Sequence, residues 1–375
     1  MDVRPRPHMD LATVTYLWKG RIARRAVIWI KPRTGAALAS CKALYHGGVR
    51  FARHPTAGHT MSNLLPQATP ERCESHPAAQ PEIVHLPERT ADLGAGLIVQ
   101  RSLPTRGRRL VGPWCFFDLY GPLAFANRKA MDVAPHPHIG LQTVSWLFAG
   151  ESVHHDSLGC TATARPGELN LMTAGRGIAH SEETPPQNSG HLHGVQLWVA
   201  LPDTERHREP GFDHYADLPV LEPGGGRVQV FTGNLGDTHS GTRTFSPLVG
   251  ADLHLGGHGV LRLPLEVSWE HALVVIDGEV TLDGTRLTPG GLHYLGTCRA
   301  GLELSAEHPA HVVLIGGAPF GEAIVMWWNF VARTAEEIRL ARENWQQHRV
   351  FGEVTAYQGT RLDAPPLEGR PVASR

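Results

Sequence analysis

The chain has 375 residues, with 35 Lys+Arg against 36 Asp+Glu and a formal net charge of −1. That length suits two domains with a sizeable core. The balanced charge argues against a nucleic-acid binder or a membrane-surface binder, both of which carry a basic excess or stripe.

Residues 1–20, MDVRPRPHMDLATVTYLWKG, match residues 131–150, MDVAPHPHIGLQTVSWLFAG, at 11 of 20 positions. The match stops at Gly20 and Gly150, and Arg6 stands where the later copy has His136. Arginine stays protonated and cannot ligate a metal. The first copy, which keeps His8 alone, reads as a broken duplicate rather than a domain repeat. Residues 31–82 are rich in Pro, Gly, Ala, Thr and His with weak periodicity, and a loose segment is expected there. Residues 1–80 are therefore taken as a degenerate extension, with organised structure starting near Pro81.

From Pro81 the texture is β: GLIVQRSLP, VGPWCFFDLYGP, LQTVSWLFAG, LHGVQLWVALP, VQVFTGN, ALVVIDGEVTLDG and HVVLIGG alternate with Gly, Pro and Asp punctuation. Short strands at such spacing form sandwiches or barrels, and IDGEV and LDGTR carry Asp-Gly hairpin signals. Turn-rich RPGE and TPGG occupy equivalent places in two halves, which predicts two similar β domains, 81–205 and 206–358. Thr334 with Glu337 predicts a helix start, and Ile338, Ala341 and Trp345 follow at helical spacing. Residues 359–375 read as a loose tail. The predicted fold class is all-β, two barrels with a short C-terminal helix.

Two short clusters carry chemistry. In Pro135-His136-Pro137-His138 the two histidines share one face of a strand, because side chains alternate, and Pro137 stiffens the pair. Continued by twos, that face holds Gly140, Gln142, Val144, Trp146 and Phe148. In the second cluster a Gly-rich turn precedes His180 and Glu182, another i, i+2 pair. The 41 residues between His138 and His180 allow the pairs to return and face each other across a barrel. Three imidazoles and a carboxylate suit a divalent first-row metal. His154 and His155 follow a hairpin turn, where one can support the site or both can be surface groups. His191 and His193 form another H-x-H at the start of an apolar strand. Arg176, between two glycines, either positions an anion or pairs with a carboxylate. Trp327 and Trp328 read as packed core near the helix.

HPHIGLQTVSW, HHDSLG, RPGELNLMTAGRGIAHSEETP, LHGVQLWVALP and GGAPFGEAIVMWWNF resemble segments of the pirin family, within the cupins, over roughly residues 85–350. The resemblance implies a bicupin of two jelly-roll barrels. It implies that the first barrel alone binds metal, usually iron, through His136, His138, His180 and Glu182; Ni2+, Mn2+ and Zn2+ also accept such donors. The second barrel, with Trp269-Glu270-His271 in place of H-x-H, should be metal-free. Typical cupins carry a glutamate where this chain has Gln142, which removes a negative charge expected near the metal. The activity implied is a dioxygenase cleaving a flavonol such as quercetin, with Glu182 as ligand and base and Trp146 and Phe148 as an apolar wall. The alternative is an iron-dependent regulatory protein that binds other proteins without turnover. Five scattered cysteines, Cys41, Cys73, Cys115, Cys160 and Cys298, without a C-x-x-C pair, fit reduced thiols. No leader pattern and no apolar run of 18 residues appears, so a cytoplasmic protein is expected.

Overall fold

The computed structural model describes residues 11–18, 21–29, 70–76, 80–93, 97–125 and 131–367. The chain divides into two units, Met1–Thr56 and Ala57–Arg375. The first contains an antiparallel hairpin, Leu11–Trp18 with Arg21–Trp29. Arg6 and His8 of the broken copy lie outside the described residues.

The second unit is built from two antiparallel β bodies. In the first, a seven-stranded sheet runs Gly211–Tyr215, Leu169–Thr173, Leu141–Gly150, His191–Ala200, Trp114–Ala124, Ile98–Leu103, Arg89–Asp92. It is matched with a four-stranded sheet, Thr161–Ala164, Ser152–Asp156, Ile178–Glu183, Asp132–His138. The second body repeats the plan. Its larger sheet includes Gly226–Leu235, Leu248–Leu255, Ala310–Gly317, Glu270–Asp277 and Gly291–Gly296, and its smaller sheet Val260–Pro264, Gly301–Ser305, Val280–Leu282 and Thr285–Leu287. These are the two jelly-roll barrels that the sequence predicts.

Alternation builds the second interior. Leu261 and Leu263, Leu302 and Leu304 point inward, while Arg262 and Glu303 pair outside. With Val228, Val230, Leu253, Leu273 and Leu314 they make an aliphatic filling. The Asp-Gly signal appears as a two-residue hairpin, with φ of 49° at Asp283 and 73° at Gly284, between Val280–Leu282 and Thr285–Leu287. Both values are positive, as the favoured hairpin turn requires. The larger sheets pack face to face through Val144, Trp146, Leu171 and Leu197 on one side and Phe231, Ala272, Val274 and Ile315 on the other.

Three segments depart from the sequence expectations. Pro81–Pro87 pairs with Gly291–Gly296 and so completes the larger sheet of the second barrel, not the first. Within the stretch expected to be loose, Glu71–Cys73 pairs with Ile324–Trp327, and Cys73 is fully buried. Nearby stands Glu270, a buried carboxylate that collects the Ser75 hydroxyl at 2.9 Å, the Gly112 N–H at 2.8 Å, the Tyr294 hydroxyl at 2.8 Å and Arg108 at 3.2 Å. A buried charge needs such partners, and they tie the N-terminal segment to both barrels. Beyond residue 358 the chain is docked as far as it is described: Leu362 and Ala364 are buried, Leu362 N–H donates to Pro135 at 2.9 Å, and the Trp345 indole donates to the Leu362 carbonyl at 2.7 Å.

The helix Ala335–Gln346 starts as expected. Thr334 Oγ1 accepts the Glu337 N–H at 3.2 Å, and Ile338, Ala341 and Trp345 face the core. Trp327 and Trp328 are buried beside it. Among the described residues no helix is long and apolar enough to cross a membrane.

Candidate metal centre

The histidines meet on adjacent strands. Asp132–His138 and Ile178–Glu183 are hydrogen-bonded neighbours in the four-stranded sheet, with His136 directly opposite His180 and Ile178 opposite His138. The two pairs are thus side by side rather than facing across the barrel. Asp132–His138 is the sheet's edge strand, where the missing N–H of Pro135 and Pro137 breaks no ladder. A bulge between His180 and Glu182 shifts the register by one residue, a device that re-aims side chains beside a site.

The ring centroids of His136, His138 and His180 lie 4.4–4.9 Å apart, and one nitrogen from each falls within a 4.8 Å group. Each ring is oriented through Nδ1. His136 donates to the Ala134 carbonyl at 3.0 Å, and His138 to the Asn329 carbonyl at 3.1 Å. His180 lies 3.2 Å from Nδ1 of His154, whose Nε2 lies 3.2 Å from Asp156. With Nδ1 so engaged, Nε2 carries the lone pair. Nε2 of His138 and of His180 is buried without a protein partner, a state that buried polar atoms rarely hold. Burial pushes His136 down to about 4 and His138 and His180 well below the usual imidazole range, so all three are neutral at pH 7. Neutral, oriented, converging and unpartnered imidazoles fit a divalent metal.

Glu182 lines the same cavity but stands outside the 4.8 Å group. Burial raises its carboxyl to about 7, and the Ser145 hydroxyl at 3.1 Å partly counters this. Ser145 also lies 2.8 Å from the side-chain oxygen of Gln196.

The cavity wall differs from the sequence expectation. Gly140, with φ of 68° and the Val331 carbonyl 2.0 Å from where a Cβ would sit, turns the chain between the strand of the smaller sheet and that of the larger. The alternation that starts at His136 does not survive this turn. Ser145, not Trp146, faces the histidines. The Trp146 indole donates to Asp252 of the second barrel at 2.9 Å, and Phe148 packs edge-on against its own barrel's His193 and the second barrel's His311. Gln142 also points away: its amide donates to Thr173 at 2.9 Å and to the Arg243 carbonyl at 3.0 Å.

Cross-strand rows build the real wall. Trp198 stands opposite Phe116, and the rings stack with centroids 4.0 Å apart. Trp198 also meets His138 edge-on at 5.3 Å. The next row is Ser145, Gln196, Asp118 and Arg101. Arg101 and Asp118 form a buried two-pronged pair at 2.7 and 2.6 Å. Leu93, Leu97, Tyr120, Met131 and Val133 close the rest, leaving a free volume of about 30 Å³.

Of the groups left open by the sequence, His154 reaches the site through His180, whereas His155 bonds Thr161 at 2.9 Å on the outside. Arg176 pairs with Glu209 at 2.7 and 3.1 Å. His193 lines the space between the barrels and His191 is exposed. Phe116, Trp198, Ser145 and Asp118 gave no sequence signal, because an apolar run buried on both faces does not say which face holds the cavity.

Comparison with known proteins agrees with this architecture. Residues 96–199 match the family model described as Pirin, and residues 250–351 that described as Pirin C-terminal cupin domain. A Pseudomonas aeruginosa protein provisionally named as a quercetin 2,3-dioxygenase is 44% identical over 280 residues, covering 74% of this chain and 89% of that one. A pirin-like protein of Caulobacter vibrioides is 37% identical over 269 residues, covering 70% and 92%. The crystal structure of quercetin 2,3-dioxygenase from Acinetobacter baumannii superposes with a TM-score of 0.74 at 42% identity, over 78% of this chain and 98% of that one. The chain belongs to the pirin family.

Proposed function

We propose that this protein is a metal-dependent dioxygenase that cleaves a flavonol such as quercetin, holding its metal, iron first among the candidates, through His136, His138, His180 and Glu182. The observation that carries the reading is the juxtaposition of three buried, neutral imidazoles with a buried carboxyl group lining the same cavity. When bound, the metal supplies a Lewis-acid centre and a path for electrons between a phenolate and dioxygen.

The remaining work falls to the chain. Glu182, a buried carboxyl lining the same cavity as the histidines, is placed to accept the proton of a substrate hydroxyl. Ser145 holds one of its oxygens in place. Phe116 and Trp198 offer a flat aromatic wall for a flat substrate, and the apolar lining excludes water from the reacting groups. Since about 30 Å³ holds an ion or a water but no flavonol, substrate entry requires the cavity wall to part.

That small volume also favours a second reading, an iron-dependent regulatory protein that binds other proteins without turnover. The test is direct. Iron-loaded protein is given quercetin under oxygen, and loss of flavonol absorbance is followed with carbon monoxide release. Turnover that vanishes in Glu182→Gln and His180→Ala supports the dioxygenase. No turnover with iron, nickel, manganese or zinc in a fully loaded protein overturns it in favour of the regulatory reading.

A further inference from the structure

The space between the barrels holds a second convergent donor set. Asp252 and His254 stand two residues apart on Leu248–Leu255 and so share a face. His311, on Ala310–Gly317, is the direct cross-strand partner of His254. The two imidazoles stack, with centroids 4.1 Å apart and planes inclined by 16°. Both Nε2 atoms aim at one oxygen, Asp252 Oδ1, from 2.5 Å for His311 and 3.5 Å for His254. The other oxygen is fixed from the opposite barrel by the Trp146 indole N–H at 2.9 Å. Donor atoms of all three residues lie within 4.8 Å of one another.

This group opens onto a cavity of about 750 Å³, lined also by Phe148, His193, Arg227 and Asp277. Asp277 is a cross-strand neighbour of His311 and adds a second negative charge. Arg227, opposite His254, is turned to the Gln229 side-chain oxygen at 3.0 Å. Two imidazoles and a carboxylate on hydrogen-bonded strands form a rigid three-point set. Three protein ligands also leave a coordination position free, as in open zinc sites.

We propose that Asp252, His254 and His311 bind a second divalent cation of the zinc, nickel or cobalt type, with its open position facing the inter-barrel cavity. The site is independent of the three-histidine centre, and so is its test. Full-length metal-free protein is dialysed against Zn2+ and separately against Co2+, and bound metal is counted and the cobalt spectrum recorded. Two equivalents per chain are expected. His180→Ala with His136→Ala removes one and leaves the other. His254→Ala, at a half-exposed position that leaves the fold intact, weakens the remaining ion by ~10-fold or more, and Asp252→Asn does the same. Zinc raises the melting temperature of the His136/His180 double variant, and His254→Ala abolishes that rise. A double variant that binds no ion, or whose ion is unchanged by His254→Ala, overturns the proposal without touching the first centre.

Discussion

His154 and His180 share a contact between their Nδ1 atoms at 3.2 Å, and Asp156 stands behind His154 at 3.2 Å from its Nε2. Burial lowers both imidazoles, and with both rings neutral one proton arrangement satisfies both contacts. His154 donates from Nε2 to the carboxylate and accepts at Nδ1, so His180 donates from Nδ1 and keeps its Nε2 lone pair for the cavity. The series Asp156, His154, His180 thereby fixes the tautomer of a proposed ligand, the role such outer partners play at metal sites.

Replacing His154 by phenylalanine tests that series. The ring stacks on Phe212 with centroids 4.2 Å apart, and phenylalanine preserves the stack while removing the acceptor. The expected result is a folded protein whose metal affinity is lower by ~10–100-fold, read by competition with a chromophoric chelator. Unchanged affinity would show that His180 needs no partner.

Arg101 and Asp118 are both almost fully buried, and Arg101 also lies over the Phe116 ring at 4.4 Å. Arg101→Ala strips Asp118 of its partner inside the cavity wall, where burial already raises its carboxyl. Breaking a buried pair from one side costs ~3–5 kcal/mol, so chemical denaturation should show a loss of that order. Arg101→Ala with Asp118→Ala should cost less than the sum of the two single changes, because neither charge is then stranded.

The metal-free protein should lose stability as pH falls from about 6.5 towards 4. Folded His136 titrates at about 4 against 6.5 for an ordinary imidazole, and His138 and His180 shift in the same direction. Below 6.5 the unfolded chain therefore takes up more protons than the folded one, and acid favours unfolding. Glu182 opposes this. Its folded value of about 7 exceeds the ordinary 4.5, so its stabilising share is full below 4.5 and is lost as pH rises through 7. Three imidazoles outweigh one carboxyl. Melting temperatures measured across this range should fall with acid, and more steeply in Glu182→Gln, where the offset is gone. A flat profile would contradict the burial of neutral imidazoles.

Gln142→Glu separates two views of that position. If the residue faced the metal, glutamate would tighten binding. Here its amide donates to Thr173 and to the Arg243 carbonyl, and a carboxylate cannot donate to a carbonyl. The expected outcome is a loss of at least ~1–3 kcal/mol of stability with metal affinity unchanged, measured by melting and metal titration on the same samples.

The sequence was informative where one local rule acts alone. Two i, i+2 pairs point to His136, His138 and His180, which the fold brings together, and to Glu182, which lines the same cavity; Asp283-Gly284 and Thr334 mark a hairpin and a helix start. It misled where the chain changes sheet. Period-two counting from His138 assigns Trp146 to the cavity, but the turn at Gly140 moves Ser145 there instead. Both faces of Leu141–Gly150 are largely buried, one against the first interior and one against the second barrel, so hydrophobicity cannot tell them apart. Local spacing does not decide the role of His154, because its contact with His180 depends on the pairing of Ser152–Asp156 with Ile178–Glu183.

The strand Pro81–Pro87 precedes the first barrel in the chain yet hydrogen-bonds to Gly291–Gly296 of the second. A gene truncated to encode residues 206–358 would lack this covering strand and bare a row of backbone donors and acceptors, the kind of edge that recruits other chains. The halves of this molecule are therefore not interchangeable modules. Recombination or expression that divides them near residue 205 should yield sticky fragments, whereas a cut upstream of Pro70 spares both this seam and the strand Glu71–Cys73.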